Sequence, residues 1–391
     1  MNYKEADKRY IANTYNRFPV VLVKGKGSEV WDEDGKRYID LSGGIAVNSF
    51  GFADEEWLVA VTEQLSTLPH TSNLFYSKPN ILLAEKLCTL TGMKKVFFSN
   101  SGAEANECAI KVARKYAAEK HGSEYYHIVT LINSFHGRTL TTLAATGQES
   151  FHQEFTPLTP GFVHTAANDI KALRTAVETH KCAAIMIEPI QGEGGVMALE
   201  ADFVKAAAAL AHEKDILLIC DEVQTGNGRS GALYTYMNYG IMPDVVSTAK
   251  GLGGGLPIGA TLIGEKAQNV LTPGSHGSTF GGNPAACAGA LSILNRIDET
   301  LLRSVREKSA YLFEALSGAK GIRSVSGMGF MIGLLTEKPA AEVIAACREK
   351  GVLVISAKNK VRLLPALNIP TELLHEAVSV IQSVCAEESE K

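Results

Sequence analysis

The sequence predicts an α/β fold in which a mostly parallel sheet is covered by helices on both faces. Between about residue 60 and residue 290, short β-rich runs alternate with alanine-rich helical stretches. The β-rich runs are KKVFFSN, YHIVTLI, KCAAIMIEP, DILLICDE and PDVVSTAK. Alternation of strands with helices favours parallel pairing, because each helical crossover returns the chain to the same end of the sheet. The 391 residues also leave room for a second domain.

The two ends of the chain predict a smaller α+β domain. Before residue 60, Asp34-Gly35 lies between short apolar runs and favours a tight hairpin turn. After residue 290 come a helix, the strand candidate GFMIGLL, the helix AAEVIAACREKG, the strand candidate VRLLPAL and a helix from Glu372 onward. We therefore expect residues 1–60 and 291–391 to form the small domain, and residues 61–290 to form the large one.

Composition and charge exclude several classes of protein. The net charge of −4 is too balanced to indicate a nucleic acid or a membrane surface as the partner, so we expect small-molecule substrates. The seven cysteines are odd in number and lie mostly in apolar runs without metal-ligand spacing, which predicts reduced thiols and no metal site. The first 18 residues carry charges where a signal peptide needs an apolar core. We expect a cytoplasmic protein.

Several central β-rich runs end in a polar or ionisable residue. Ser99 to Ser101 follow VFF, Glu188 follows AAIMI, Asp221 follows ILLIC and Lys250 follows VVSTA. In an open α/β sheet, ligands bind beyond the carboxyl ends of the strands. These residues are therefore expected to converge on one site.

Three of these positions have a chemistry of their own. Asn100 to Ala103 form a small-residue turn into a helix, which either holds an anion on its free N–H groups or is a plain serine N-cap. Asp221 ends an apolar run, so its carboxylate needs a partner. Lys250 precedes GLGGGLPIG, and a desolvated lysine is nucleophilic. Alone, the acid would be interpreted as a cap or ion pair and the lysine as solvated surface.

Together the three positions indicate pyridoxal phosphate as the cofactor. It requires an anchor for its phosphate, a counter-charge at its ring nitrogen and an amine for the imine. A rival motif is Gly226 to Gly231, which matches G-x-G-x-x-G and suggests a nicotinamide-dependent dehydrogenase. Five residues separate its first glycine from the strand, and no second strand ending in an acid follows at about 20 residues. The dehydrogenase remains a remote alternative.

Six ordered runs resemble those of class III pyridoxal-phosphate aminotransferases and, within that family, acetylornithine aminotransferases. They are NSGAEANECAIKVAR (100–114), SFHGRT (134–139), EPIQGEGG (188–195), DEVQTGNGRSG (221–231), AKGLGGGLPIGA (249–260) and GSTFGGNPAACA (277–288). The resemblance extends from residue 43 to residue 369. It implies the fold type I architecture, pyridoxal 5'-phosphate as the cofactor and a homodimer with shared active sites.

The resemblance implies cofactor contacts position by position. Lys250 would form the Schiff base, and Asp221 would pair with the pyridine nitrogen. The other implied contacts are Ser101, Gly102, Ala103 and Thr279 of the partner subunit at the phosphate, Phe135 and Val223 on the ring faces, and Gln224 near the ring hydroxyl.

Two arginines would bind the substrate. Arg138 would hold its far carboxylate with Ser278 of the partner subunit, and Arg362 would hold the α-carboxylate of glutamate. Glu193 would neutralise Arg362 for the diamine and swing away for glutamate. Without the resemblance, both arginines would be interpreted as ordinary ion pairs and Glu193 as a solvated loop residue.

The implied activity is transfer of the δ-amino group of N2-acetyl-L-ornithine to 2-oxoglutarate, giving N-acetyl-L-glutamate 5-semialdehyde and L-glutamate in arginine biosynthesis. Succinyl-diamine, ornithine and 4-aminobutyrate aminotransferases, an aminomutase and a silent binding protein are the alternatives. Ornithine aminotransferases commonly have a tyrosine in the stretch matching Ser42 to Ile45, where this chain has only small or apolar residues. Phe52 replaces a common family histidine, which leaves the role of the GFADEEW segment open.

Overall fold

The structure is a computed structural model that describes residues 2–387 of the chain. Its strands are β1 (Leu22–Lys26), β2 (Glu29–Asp32), β3 (Arg37–Asp40), β4 (Lys95–Ser99), β5 (His127–Leu131), β6 (Phe162–Thr165), β7 (Cys182–Ile187), β8 (Ile190–Gln191), β9 (Met197–Ala198), β10 (Leu217–Asp221), β11 (Val245–Thr248), β12 (Gly259–Ile263), β13 (Ile322–Met328), β14 (Met331–Thr336), β15 (Val352–Leu353), β16 (Ile355–Ala357) and β17 (Lys360–Leu363).

The helices are α1 (Tyr3–Tyr10), α2 (Gly43–Ala46), α3 (Glu55–Thr67), α4 (Lys78–Thr91), α5 (Gly102–His121), α6 (Leu140–Ala145), α7 (Ile170–Thr179), α8 (Ala201–Glu213), α9 (Pro284–Arg296), α10 (Glu299–Leu316), α11 (Ala340–Glu349) and α12 (Thr371–Ala386). α2 is a single turn in which Gly44 and Ile45 have positive φ. Within residues 2–387, every helix is too short or too polar to cross a lipid bilayer.

The centre of the molecule is a seven-stranded sheet in the order β4-β12-β11-β10-β7-β5-β6. Neighbouring strands pair in parallel except at β12, which runs antiparallel to both β4 and β11. Strands β7, β10, β11 and β12 are buried at every position, as expected for strands with helices on both faces. The predicted α/β class is confirmed. The sequence analysis does not predict β12, whose residues follow the glycine-rich run directly.

Alternate residues of the central strands face opposite layers of helices. In β10, Leu217 and Ile219 pack in the same core as α5, whereas Leu218 and Cys220 pack in the core that contains α7 and α8. This division follows from the two-residue period of a strand.

Both ends of the chain build two four-stranded sheets, whereas the short pair β8-β9 lies in the middle of the sequence. β1, β2 and β3 form an antiparallel meander with the predicted turn at Asp34-Gly35, and β3 pairs in parallel with β15 near the other end of the chain. The order of the second sheet is β13-β14-β17-β16. β17 ends at Leu363, earlier than the run VRLLPAL suggests, because the N–H of Leu364 donates to Leu41 and Pro365 has no N–H. The division at residues 60 and 290 stays a prediction.

The unusual GFADEEW segment has a structural role in the N-terminal region. Phe52 covers the backbone of Gly25, where an added Cβ would lie 2.6 Å from the phenyl ring. Asp54 caps α3 by accepting the N–H of Trp57 at 2.9 Å, and it pairs with Arg296 at 2.8 Å. Phe52 therefore packs against β1, and Asp54 fixes the start of α3.

Candidate active site

A pocket of about 430 Å³ lies at the edge where the parallel strands of the central sheet end. It is lined by residues that follow β4, β5, β7, β10 and β11 and by residues that precede β12. The predicted residues that line it are Ser101, Gly102, Ala103, Phe135, Arg138, Asp221, Val223, Gln224 and Lys250. The convergence expected from the strand ends is therefore present in the structure.

The carboxylate of Asp221 is buried at the base of the pocket, with the residue 3 % exposed. Its Oδ2 accepts hydrogen bonds from Asn106 Nδ2 and from His136 Nδ1, both at 2.7 Å. Its Oδ1 accepts the backbone N–H of Val223 at 3.0 Å. Three donors thus satisfy a carboxylate for which burial would otherwise be costly.

Asn106 and His136 are the site residues that sequence reasoning missed. Asn106 Nδ2 also donates to the carbonyl of His136 at 2.8 Å, and its Oδ1 accepts Ser247 Oγ at 2.5 Å. The two side chains therefore hold each other as well as Asp221. Both lie inside matched runs, and the expected partner of the buried acid could have been sought among the polar residues of those runs.

Lys250 lies two residues beyond the end of β11 and has a positive φ of 45°. Burial lowers the pKa of its ammonium group, and the charge of Arg362 lowers it further, although the carboxylate of Glu193 opposes the change. Its Nζ forms no hydrogen bond with residues 2–387. A lysine in such surroundings has a larger neutral, nucleophilic fraction at physiological pH.

The N-terminus of α5 forms one wall of the pocket. Ser101 is the N-cap of α5, and its Oγ accepts the N–H of Glu104 at 3.2 Å. The interpretation of Ser101 as an N-cap is therefore confirmed. The N–H groups of Gly102 and Ala103 precede the first intrahelical donors and remain available to an anion. An added Cβ at Gly102 would lie 2.4 Å from Val223, so the close packing of these two segments requires glycine.

Arg138 lies at the exposed rim of the pocket. Its guanidinium carbon is 4.2 Å from the ring centroid of Phe151 and 5.7 Å from that of Phe135. It makes no ion pair within the part of the chain that the structure describes, so its interpretation as an ordinary ion pair is wrong. Its charge is free to bind a carboxylate.

Arg362 and Glu193 meet beside Gln224, and neither of the two is among the residues that line the pocket. Arg362 Nη1 is 2.5 Å from Glu193 Oε1, and Nη2 is 3.3 Å from Oε2. Burial would raise the pKa of Glu193, but the guanidinium outweighs burial and holds the pKa below its ordinary value. Gln224 bonds to both partners: its Nε2 donates to Glu193 at 3.2 Å and its Oε1 accepts from Arg362 at 3.0 Å.

Glu188 is a second buried carboxylate in the pocket. Its Oε2 accepts the N–H of Phe135 at 2.8 Å, and its Oε1 accepts that of Gly192 at 3.4 Å. Burial raises its pKa well above the ordinary value, and the nearby charge of Asp221 adds to this. Glu188 thereby joins the loop that carries Arg138 to the loop that carries Glu193.

Ser278 and Thr279 lie outside this pocket. Ser278 Oγ accepts the side chain of Asn100 at 3.1 Å, and Thr279 is exposed on the surface. A single chain does not bring either residue to its own Lys250. Their assignment to the active site of a partner subunit stays a prediction.

The residues present fit pyridoxal 5'-phosphate. The free N–H groups at the start of α5 suit its phosphate, the Asp221 carboxylate suits a protonated ring nitrogen, and the unbonded amine of Lys250 suits its aldehyde. The rival dinucleotide motif, residues 226–231, lies in a loop followed only by the short 3-10 helix Thr235–Tyr239 before β11. It lacks the helix N-terminus on which a pyrophosphate would lie, so the dehydrogenase alternative is wrong.

Comparison with known proteins places these features in one family. Residues 10–385 match the family Aminotransferase class-III, whose members depend on pyridoxal 5'-phosphate. An acetylornithine aminotransferase of Haemophilus ducreyi is 49 % identical over 386 residues, which cover 98 % of each chain. The ornithine aminotransferase of Toxoplasma gondii ME49 is similar in structure, with a TM-score of 0.94 and 32 % identity over 98 % of this chain and 94 % of its own. The acetylornithine aminotransferase of Elizabethkingia anophelis gives a TM-score of 0.87 at 32 % identity, over 98 % and 97 %. The chain belongs to the class-III aminotransferase family, and its cofactor is pyridoxal 5'-phosphate.

Proposed function

We propose that this protein transfers the δ-amino group of N2-acetyl-L-ornithine to 2-oxoglutarate, giving N-acetyl-L-glutamate 5-semialdehyde and L-glutamate in arginine biosynthesis. The observation that carries the proposal is the contrast between the two arginines of the site. Arg138, at the rim, has no ion-pair partner among residues 2–387, whereas Arg362 is paired with Glu193. The names of the full-length relatives agree with this activity.

The side chains of the pocket have separate roles in the proposed reaction. When bound, pyridoxal 5'-phosphate supplies an electron sink that stabilises negative charge at the substrate carbon. Lys250 would hold the cofactor through Nζ and, once released, would move the proton at the reacting carbon as a general base and acid. Asp221 would stabilise the positive ring nitrogen, and Asn106 and His136 fix the direction of its carboxylate.

The remaining predicted contacts position the reactants. Phe135 and Val223 line the pocket where they would confine the ring, and the backbone of Gly102 and Ala103 with the hydroxyl of Ser101 would anchor the phosphate. Both donors have a carboxylate at the end that lies away from the reacting carbon. Arg138 binds this far carboxylate.

Glu193 and Arg362 let one pocket accept two unlike donors. Glutamate brings a carboxylate next to the reacting carbon, whereas acetylornithine brings methylenes there. The closed pair that the structure shows leaves no uncompensated charge for methylenes to meet. For glutamate, Glu193 must leave Arg362 so that the α-carboxylate can take its place. The 29 % exposure of the Glu193 side chain is consistent with such movement.

Acylation of the donor's α-amino group affects donor preference because the pocket offers few hydrogen-bond acceptors to a second ammonium group. The stretch from Ser42 to Ala46 turns with positive φ at Gly43, Gly44, Ile45 and Ala46, and the next residue, Val47, lines the pocket. The side chain of Val47 cannot accept a hydrogen bond. A buried polar group without a partner costs about 1–3 kcal/mol, and more when it is charged.

Steady-state kinetics test this proposal. Acetylornithine, succinylornithine, ornithine and 4-aminobutyrate would each be measured against 2-oxoglutarate with the purified holoenzyme. We expect kcat/KM for acetylornithine to exceed that for ornithine by at least about tenfold, with succinylornithine possible as a second good donor. Equal or better use of free ornithine would show that the protein is an ornithine aminotransferase. The assignment of the cofactor and its chemistry would not change.

We also propose a cytoplasmic homodimer with shared active sites. Leu74, Phe75 and Tyr76 are 89 %, 71 % and 96 % exposed, and Phe280, next to Thr279, is 61 % exposed. Contiguous apolar surface of this kind is typical of an interface. In such a dimer Ser278 and Thr279 would reach the partner subunit's pocket. Six of the seven free cysteines are buried, which suits a reducing compartment.

A further inference from the structure

The side chain of Gln224 lies between the two charged partners of the donor site. Its Nε2 donates to Glu193 Oε1 at 3.2 Å, and its Oε1 accepts from Arg362 Nη1 at 3.0 Å. Since Nη1 also donates to Glu193 Oε1 at 2.5 Å, the three groups form a closed triangle of hydrogen bonds. Gln224 and Arg362 are 6 % and 3 % exposed, so water does not readily replace the bond between these two side chains.

A carboxamide suits this place because it donates and accepts at once. A carboxylate would only accept, and an apolar side chain would do neither. One N–H and one lone pair of the amide remain free, so these contacts are compatible with a ring hydroxyl nearby.

The neighbouring loop is shaped around this amide. An added Cβ at Gly192 would lie 2.6 Å from Gln224 Oε1 and 2.8 Å from its Nε2. Gly192 is adjacent to Glu193 and donates its own N–H to Glu188. The absence of a side chain at residue 192 therefore keeps the amide in contact with the pair.

We propose that Gln224 sets the balance between the two donors: its N–H holds Glu193 on Arg362, and its carbonyl oxygen keeps Arg362 aimed when Glu193 leaves. This inference rests on the donor switch of the proposed function. The bond that Gln224 donates to Glu193 exists only in the closed arrangement, in which Glu193 is paired with Arg362. The bond that Gln224 accepts from Arg362 is present whether or not Glu193 has left. Its contribution therefore cancels in the ratio of kcat/KM for the two donors.

Two substitutions at Gln224 must then act in opposite directions. In Gln224→Leu the closed arrangement loses its N–H donor, so acetylornithine suffers more than glutamate. In Gln224→Glu a second carboxylate faces Arg362, so the arginine stays neutralised after Glu193 leaves and glutamate suffers more. Each shift should be about tenfold or larger, the scale of one hydrogen bond to a charged group.

The measurement is the ratio of kcat/KM for acetylornithine to kcat/KM for glutamate, from single-turnover half-reactions of the holoenzyme. We expect the ratio to fall in Gln224→Leu and to rise in Gln224→Glu. Gly192→Ala provides a third test, because it displaces the amide without changing it and should lower the ratio. Gln382→Leu and Gln382→Glu are matched controls on α12, where Gln382 bonds only to the carbonyl of Ala315 among residues 2–387.

Calorimetric titration with glutarate gives a readout that does not depend on turnover. Its dissociation constant should rise about tenfold or more in Gln224→Glu and should not rise comparably in Gln224→Leu. Shifts of the donor ratio in the same direction, or equal glutarate affinities, would overturn the role of Gln224. Failure of the wild-type enzyme to use acetylornithine would instead overturn the proposed function, and the glutarate titration would still test Gln224.

Discussion

Removal of the Glu193 carboxylate should change which donor the enzyme prefers. In Glu193→Ala, Arg362 loses two contacts, at 2.5 and 3.3 Å, and keeps the single bond to Gln224. Arg362 is buried, so its positive charge would then face the methylenes of acetylornithine without compensation. Glutamate, in contrast, would no longer have to displace a carboxylate.

The expected size of the change follows from the geometry of the pair. Breaking a buried ion pair costs about 3–5 kcal/mol, but the Glu193 side chain is 29 % exposed and water can replace part of the interaction. A value of about 2–3 kcal/mol is therefore reasonable, and it corresponds to roughly a 30- to 150-fold fall in kcat/KM for acetylornithine relative to glutamate.

The assay compares both half-reactions in the wild type, Glu193→Ala, Glu193→Gln and Glu213→Ala. Glu213→Ala is the control, because this glutamate pairs with Arg174 on the surface. Glu193→Gln should have an intermediate effect, since an amide can still accept from Arg362 but carries no charge. An unchanged donor ratio in Glu193→Ala would refute the reasoning.

The pH dependence provides a second check on the same residue. The pKa of Glu193 lies below its ordinary value because Arg362 stabilises the charged form. The contribution of the pair is therefore present above the ordinary glutamate pKa and is lost only as the pH falls through the lowered value. We expect the donor ratio to be flat between about pH 6 and 8. A ratio that titrates in this range would assign the switch to another group.

Three further predictions concern the lysine, the dimer and a buried acid. Lys250→Ala should fold normally and lose turnover by at least roughly 10²–10⁴-fold, and near-normal transamination by this variant would exclude the lysine. If the site is shared, mixing Lys250→Ala and Thr279→Ala chains should restore activity, because one site of the heterodimer carries both lesions and the other carries neither. No recovery after subunit exchange would contradict a shared site. Burial raises the pKa of Glu222 to about 7, so its folded form keeps a proton that the unfolded chain releases near pH 4.5. The free energy of unfolding should therefore fall by about 3 kcal/mol as the pH rises from about 4.5 to about 7. Thermal unfolding of Glu222→Gln should lack that loss. Equal pH profiles for the wild type and Glu222→Gln would contradict this prediction.

The central sheet could be predicted because its strands are continuous apolar runs. A strand buried on both faces needs no alternation, and runs such as AAIMI and LLIC are apolar throughout. β12 could not be predicted in the same way. Its position beside β4 depends on pairing between segments more than 150 residues apart in the chain, which no local pattern records.

The same limit applied to the site. Residues at strand ends, such as Asp221 and Lys250, could be predicted because direction and position follow from the strand itself. Asn106 and His136 could not, since their role depends on α5 and the loop after β5 meeting at the end of β10. The triangle of Glu193, Gln224 and Arg362 likewise joins three segments that only the folded chain brings together.

The surroundings of the three carboxylates explain how one pocket gives them different roles. Asp221 receives side-chain donors from Asn106 and His136, which stabilise negative charge where a positive ring nitrogen is expected. Glu193 receives a guanidinium, so its charge is matched and can be exchanged for that of a substrate carboxylate. Glu188 receives only backbone N–H groups beside Asp221, and its raised pKa favours the protonated form. Burial lowers the pKa of Lys250 although the carboxylates of Glu193, Asp221 and Glu188 oppose the change, and a lowered pKa favours the neutral amine that acts as a nucleophile and base.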